Sequence, residues 1–376
     1  MKRIVFCLLA LAASAAIMPA TAQSQESAPE TLSFEGQTWR VTAREARVEN
    51  YRGRAALFLA AGRIWLDDAD FQDGVIEFDV SVNEGQGFIG PMWRVEDSSH
   101  FEEIYFRTHL SGKPDAVQYT PVENSLSAWQ IFSDGNALAA IEFDYEGWNR
   151  VKVVVNGDAA DFYFNSDTPQ LHIPDLKRPL LRGGVGLRVS GAAGAARFSN
   201  ITVRPLRPGE TIVGEAKEAT LPPKGLIETW SVSEPFAESD VEETLMLPSD
   251  AGDGDWPVVQ VETNGIANLA KLADATENAD TVFVRVSIQS NEAQMKELRF
   301  GYSDRVRIYL NGKRVYFGNA GWRVRDYRFL GTVGFFDSVG LDLRQGDNEL
   351  LVAVSETFGG WAWAGAIEDQ SGISLN

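Results

Sequence analysis

The chain has 376 residues, with 34 Lys or Arg against 53 Asp or Glu and a formal net charge of −19. A field of that sign repels phosphate, which excludes a general nucleic-acid binder. The length suggests two domains, each large enough to bury its own core, and the lone cysteine, Cys7, excludes a multi-cysteine zinc site or a CxxC redox pair.

Lys2 and Arg3 precede an apolar run from Ile4 to Ala13, and Ala20-Thr21-Ala22 offers small residues at signal-peptidase spacing. This predicts a signal peptide over 1–22, cleavage near Ala22, and a periplasmic or secreted product. The run falls short of the ~20 residues that cross a bilayer, and no later segment is apolar enough, so no membrane span is expected. Cleavage removes Cys7, and the loss of Lys2 and Arg3 takes the charge from −19 to −21.

Residues 23–206 read as an antiparallel β-sandwich. From Val75 to Val82, Ile76, Phe78, Val80 and Val82 alternate with Glu77, Asp79 and Ser81, the pattern of a half-buried strand. Val151, Val153 and Val155 lead through Asn156-Gly157-Asp158 to Ala160, Phe162 and Phe164, a hairpin signal. Val185, Leu187 and Val189 supply another strand, and Phe198 to Val203 closes the block.

The run Phe101 to His109 carries the most chemistry. With a period of two, Ile104, Phe106 and Thr108 face one way, while Glu103, Tyr105, Arg107 and His109 face the other. A carboxylate, a phenol, a guanidinium and an imidazole on one face suit sugar hydroxyls. Gln118, Tyr119, Asn124 and Trp129 follow downstream, and Trp93 stands on the preceding strand. These nine are the predicted ligand-binding residues, set against a plain solvated face over an aromatic core.

The segments Tyr105 to Pro121 and Ser127-Ala128-Trp129-Gln130, with Asp70-Phe71 and Gly74 to Phe78 as strand start, resemble bacterial laminin-G-like, concanavalin A-like jelly-roll domains. The nearest are those of the 3-keto-disaccharide hydrolase-like group, and the likeness covers about residues 32 to 205. It implies a jelly roll whose concave sheet face takes a ligand, and a carbohydrate-related role. Glucanases of the same superfamily place catalytic carboxylates on one strand face as E-x-D-x-E or E-x-D-x-x-E. Here Glu77 and Asp79 begin that pattern, but Ser81 and Val82 stand where the last glutamate belongs, which leaves Glu77 and Asp79 as solvent-face residues.

Residues 207–226 carry Pro208, Gly209, Pro222 and Pro223 and read as an acidic linker. From Pro208 through Asp255, twelve acidic residues face only Lys217 and Lys224. Residues 227–376 return to strand alternation: Val282, Val284, Val286 and Ile288, then Val306, Ile308 and Leu310 into the turn Asn311-Gly312, then Leu341, Leu343, Leu350, Val352 and Val354. Arg305 to Lys313, Arg325 to Thr332 and Phe358-Gly359-Gly360-Trp361 resemble galactose-binding-like jelly rolls over about residues 227 to 370. The fold class is therefore all-β, two antiparallel sandwiches in series.

Between Arg299 and Arg328, eight basic residues outnumber Asp304 and Asp326. Arg305, Arg307, Arg323 and Arg325 form a predicted second site for an acidic sugar, or else pair with the acidic linker region and fasten the domains. Asp250, Asp253 and Asp255 offer the one cofactor opening, a structural calcium, although they miss EF-hand spacing. No G-x-S-x-G, H-E-x-x-H or P-loop occurs, and the three histidines lack ligand spacing. The leading expectation is an exported saccharide- or polysaccharide-binding protein. Its rivals are a glycoside hydrolase-like enzyme using Glu103 or His109 as general acid/base, and an adhesion module with an envelope protein partner.

Overall fold

The computed structural model describes residues 30–192, 194–321, 323–324 and 332–376. The predicted signal peptide and Arg325 lie outside the described residues. Antiparallel strands dominate; the helical turns among the described residues are Glu238–Asp240 and Leu269–Lys271, and no helix is long and apolar enough to cross a membrane.

The first sandwich is built from one ladder of fourteen strands between Thr31 and Arg204. Its hinge is the strand Arg54–Phe71. Residues 57–60 pair with Ala195–Arg204 in one layer, and residues 62–71 pair with Gly183–Ser190 in the other. Gly62 stands at the crossing, where a Cβ would meet Ala43 Cα of the strand Gln37–Tyr51 at 2.2 Å, so this backbone approach admits glycine alone. The layers turn alternate residues toward each other. Ile76, Phe78 and Val80 of Gly74–Val82 and Val151, Val153 and Val155 of Asn149–Asn156 share one buried cluster with Ile104 and Phe106 of Phe101–Arg107 and Val185, Leu187 and Val189 of Gly183–Ser190. Glu77 and Asp79 are half-buried on the outer face, where Asp79 accepts hydrogen bonds from Arg54 and Asn200, each at 2.6 Å.

Both hairpin signals mark turns, with different centres. Leu310 pairs with Lys313, and Asn311 and Gly312 take φ of +52° and +78°, as a type I′ turn requires. Asn156 instead pairs with Ala159, so Gly157 (φ +63°) and Asp158 are central and the asparagine closes the strand.

The acidic linker is laid along the first sandwich as far as Lys217, and at Gly225 and Leu226 it already pairs with the second. The amides of Val213 and Gly214 donate to Asp161 Oδ2 at 2.8 and 3.0 Å, while His172 Nδ1 lies 2.7 Å from Asp161 Oδ1. Lys217 and Asn136 exchange two hydrogen bonds of 2.8 and 3.0 Å. Ile212 and Leu206 cover Val75, Val154 and Tyr163, apolar residues that the outer face would otherwise expose.

The second sandwich packs Val282, Val284, Val286, Val306, Ile308 and Val352 of a seven-stranded sheet against Leu298, Phe300, Trp363 and Leu341 of a four-stranded one. The acidic region runs on past its first strand, Thr229–Val232. Glu238 there accepts from Arg305 Nε at 2.7 Å and from Arg307 Nη1 at 2.7 Å. Burial works to raise the Glu238 carboxyl, but these hydrogen bonds outweigh it and hold the group below its ordinary value. The Asp250 to Asp255 loop directs the carbonyls of Gly252 and Gly254 at the guanidinium of Arg285. No cluster of three or more metal-ligating side chains occurs among the described residues.

Glu356, just after the strand Gly346–Ser355, is 3% exposed, and the Phe358 amide and Ser303 hydroxyl beside its carboxyl only partly offset that burial. Burial, reinforced by the charge of Asp304, pushes its pKa up to about 8.

The sandwiches meet along the edge of the first. Asn124 Nδ2 donates to Ala270 O and Ala273 O at 2.9 and 3.3 Å, Asn264 Nδ2 donates to Ile131 O at 2.8 Å, and Gln130 Oε1 accepts from the Gly360 amide at 2.7 Å. The rings of Trp129 and Phe358 lie 6.0 Å apart.

Candidate functional site

The period-two reading of Phe101–Arg107 holds as far as the strand lasts. Ile104 and Phe106 enter the core, while Glu103, Tyr105 and Arg107 share the outer face. The next strand, Val117–Glu123, sets Gln118 opposite Tyr105 and Tyr119 opposite Ile104. Gln118 therefore joins the polar face, and Tyr119 is turned into the core, where its hydroxyl donates to Glu102 Oε2 at 2.8 Å. Trp93, opposite Glu102, is fully buried. Neither ring can stack on a saccharide, which removes both from the predicted set.

His109 also leaves the set of neighbours, because the strand ends at Arg107 and Thr108 turns its hydroxyl to Gly85 O at 2.6 Å. The imidazole sits in an exposed turn, 5.8 Å from the Phe88 ring, and burial and then Arg107 lower its pKa. Asn124 and Trp129 serve the contact between sandwiches, as described above. Arg305 and Arg307 are tied to Glu238, so they brace the second sandwich internally and neither fasten the domains nor open to an anion. Arg323 lies in an exposed turn.

On the outer face, Tyr105, Arg107 and Gln118 form a closed network. The Tyr105 hydroxyl donates to Gln118 Oε1 at 2.9 Å and accepts from Arg107 Nη2 at 3.0 Å, and Gln118 Nε2 donates to Trp129 O at 2.7 Å. All three side chains are buried, and burial pushes the Tyr105 phenol up. They form a floor and present no free groups.

Beside that floor two arginines, absent from the predicted set, shape an open cleft. Arg63 and Arg188 stand directly opposite each other on Arg54–Phe71 and Gly183–Ser190. Gly90, the neighbour of Arg188 on its other side, carries no side chain, and the guanidinium spans that gap to Glu103, with Nη1 2.9 and 2.7 Å from the two carboxylate oxygens. A Cβ on Gly90 would lie 1.8 Å from Ile104 O. Ser127 Oγ adds a third hydrogen bond to Glu103 at 3.2 Å. The Glu103 charge raises the pKa of Arg188, whereas burial and then the Arg188 charge lower that of Arg63.

The cleft has a volume of about 520 Å³ and is lined by Thr42, Ser98, Ser125 and Ser190, by Phe101 and Val122, and by both arginines. The signal for Arg188 was present in the sequence: Val185, Leu187 and Val189 inward imply Arg188 and Ser190 outward. Ile64 and Leu66 inward likewise imply Arg63 outward, but that Arg63 stands opposite Arg188, 125 residues on, was not legible.

No family model and no curated protein matches the chain. Among solved structures it is similar to the carbohydrate binding module CBM66 from Bacillus subtilis, at 19% identity and a TM-score of 0.34, over 44% of this chain and 94% of that one. It is also similar to a protein of unknown function with a galectin-like fold from Bacillus subtilis (16% identity, TM-score 0.33, 44% and 88%). A third likeness is to a Bacillus licheniformis β-glucanase (10% identity, TM-score 0.32, 45% and 92%). Likenesses this weak leave the fold to its strand pairing and the site to its own chemistry.

Proposed function

We propose that the protein binds a saccharide in the cleft between Arg63, Arg188 and Phe101. The observation that carries this reading is the lining: four hydroxyl side chains, two fixed guanidinium groups and an aromatic ring around about 520 Å³. Hydroxyls both donate and accept, as sugar hydroxyls do, and the volume falls within the range of about 300–1,000 Å³ typical of small-ligand sites. Glycoside hydrolysis has less support. It requires two carboxyl groups across the scissile bond, and no carboxylate lines this cleft, while Glu103 beneath it is engaged by Arg188 and Ser127.

The export pattern of residues 1–22 supports binding outside the cytoplasm, and the second sandwich, residues 227–376, is read as a companion domain. Glycan-array screening followed by titration calorimetry tests the proposal. Binding that survives in Arg188→Ala, with the fold intact by circular dichroism, would refute this location. A processed protein beginning at Gln23 is the expected result for export, checked by N-terminal sequencing.

A further inference from the structure

We infer that the saccharide held in this cleft carries an anionic group, a carboxylate or a sulfate, seated between Arg63 and Arg188; the inference rests on the saccharide reading above. Like charges placed directly opposite on neighbouring strands destabilise a sheet, so a pair such as Arg63 and Arg188 needs a counter-charge. Glu103 pairs directly with Arg188 and reaches Arg63 only at longer range. Arg63 is half-buried and donates one hydrogen bond, to Ser98 O, which leaves most of its five N–H donors unused.

The other acidic group near Arg63 is Asp97, which is exposed and turned away, accepting from the Ser99 amide at 2.6 Å and lying 3.0 Å from His100 Nδ1. Arg188 uses only Nη1 on Glu103, so its remaining donors also border the cleft. Two guanidinium groups thus share one directly paired carboxylate beside a row of hydroxyls. A neutral sugar would leave Arg63 without a directly paired carboxylate, whereas an anion gains charge-assisted, fork-shaped hydrogen bonds about twice as strong as neutral ones. The chain's net charge of −19 does not oppose this at close range, because fields beyond about 8 Å are screened at physiological salt.

Calorimetry on the full chain with uronate-containing oligosaccharides, sulfated oligosaccharides and the carboxyl-reduced, unsulfated counterparts tests the inference. An acidic set is expected to bind at least tenfold more tightly than its neutral counterpart, and whichever acidic set does so identifies the anion. Arg63→Gln should abolish that preference. As a second measurement that needs no variant, inorganic sulfate should displace the acidic ligand. Equal affinity for charged and neutral forms overturns the anion and leaves saccharide binding standing. Failure of every saccharide to bind overturns both.

Discussion

Replacing Glu356 by glutamine separates the cost of burying a charge from the cost of burying a polar side chain. The carboxyl is enclosed with only the Phe358 amide and Ser303 hydroxyl to offset its burial, and its pKa stands at about 8 against an ordinary 4.5. Between those values the folded chain holds a proton that the unfolded chain has released, so stability falls as pH rises from about 4.5 and the loss is complete once pH passes 8. The gap corresponds to about 5 kcal/mol in full and about 3 kcal/mol at pH 7. Glutamine has the shape of the neutral acid and never ionises. The variant should match the wild type near pH 4.5, exceed it by about 3 kcal/mol at pH 7 and by about 5 kcal/mol at pH 9. Urea unfolding followed by tryptophan fluorescence across that range measures the difference, and common pH effects cancel between the two proteins. A difference that stays constant from pH 5 to pH 9 would refute the reasoning.

Arg188→Ala leaves Glu103 buried without its partner and should cost about 3–5 kcal/mol by denaturant titration, most of it recovered when Glu103→Gln is added; a cost below about 1 kcal/mol would show that the pair is not coupled. Asp161→Ala removes the acceptor for Val213 and Gly214, and hydrogen exchange at those two amides should accelerate at least tenfold while Ile104 and Phe106 remain protected. Glu238→Gln should destabilise the second sandwich by about 1–3 kcal/mol at pH 7. Because the Glu238 pKa is lowered, its stabilisation is present above the ordinary carboxyl value and fades as pH falls through the folded one, so the variant and wild type should converge in acid. Trp129→Ala should leave saccharide affinity within about twofold, since that ring packs on Phe358 away from the cleft; a loss of tenfold would place the ligand at the junction instead.

Alternation along a single strand was legible in the sequence, because the physical cause lies within five or six consecutive residues. Ile104 and Phe106 against Glu103, Tyr105 and Arg107 is such a case, and so is the Asn311-Gly312 turn. What one strand does to its neighbour was not legible. Tyr119 and Gln118 are adjacent and both polar-tipped, and only the register with Ile104 and Tyr105 decides which enters the core. The end of the strand at Arg107 was equally hidden, so a period of two carried His109 one step too far. Arg63 and Arg188 are 125 positions apart in sequence and meet only because a single strand crosses between layers. The acidic region was read by its charge, while its partners, Arg305 and Arg307 for Glu238 and the Asp161 carboxylate for the Val213 and Gly214 amides, are matters of packing.

The strand Arg54–Phe71 belongs to both layers of the first sandwich, and the cleft opens where it crosses, at Gly62 and Arg63. Neither layer can be peeled from the other without tearing a ladder that both share, so the first sandwich is expected to melt as one cooperative unit. A ligand that clamps Arg63 to Arg188 pins that common backbone at its bend. Its binding energy is then added to the resistance of the whole sandwich to unfolding, and occupancy can be read from a melting curve without any label on the sugar.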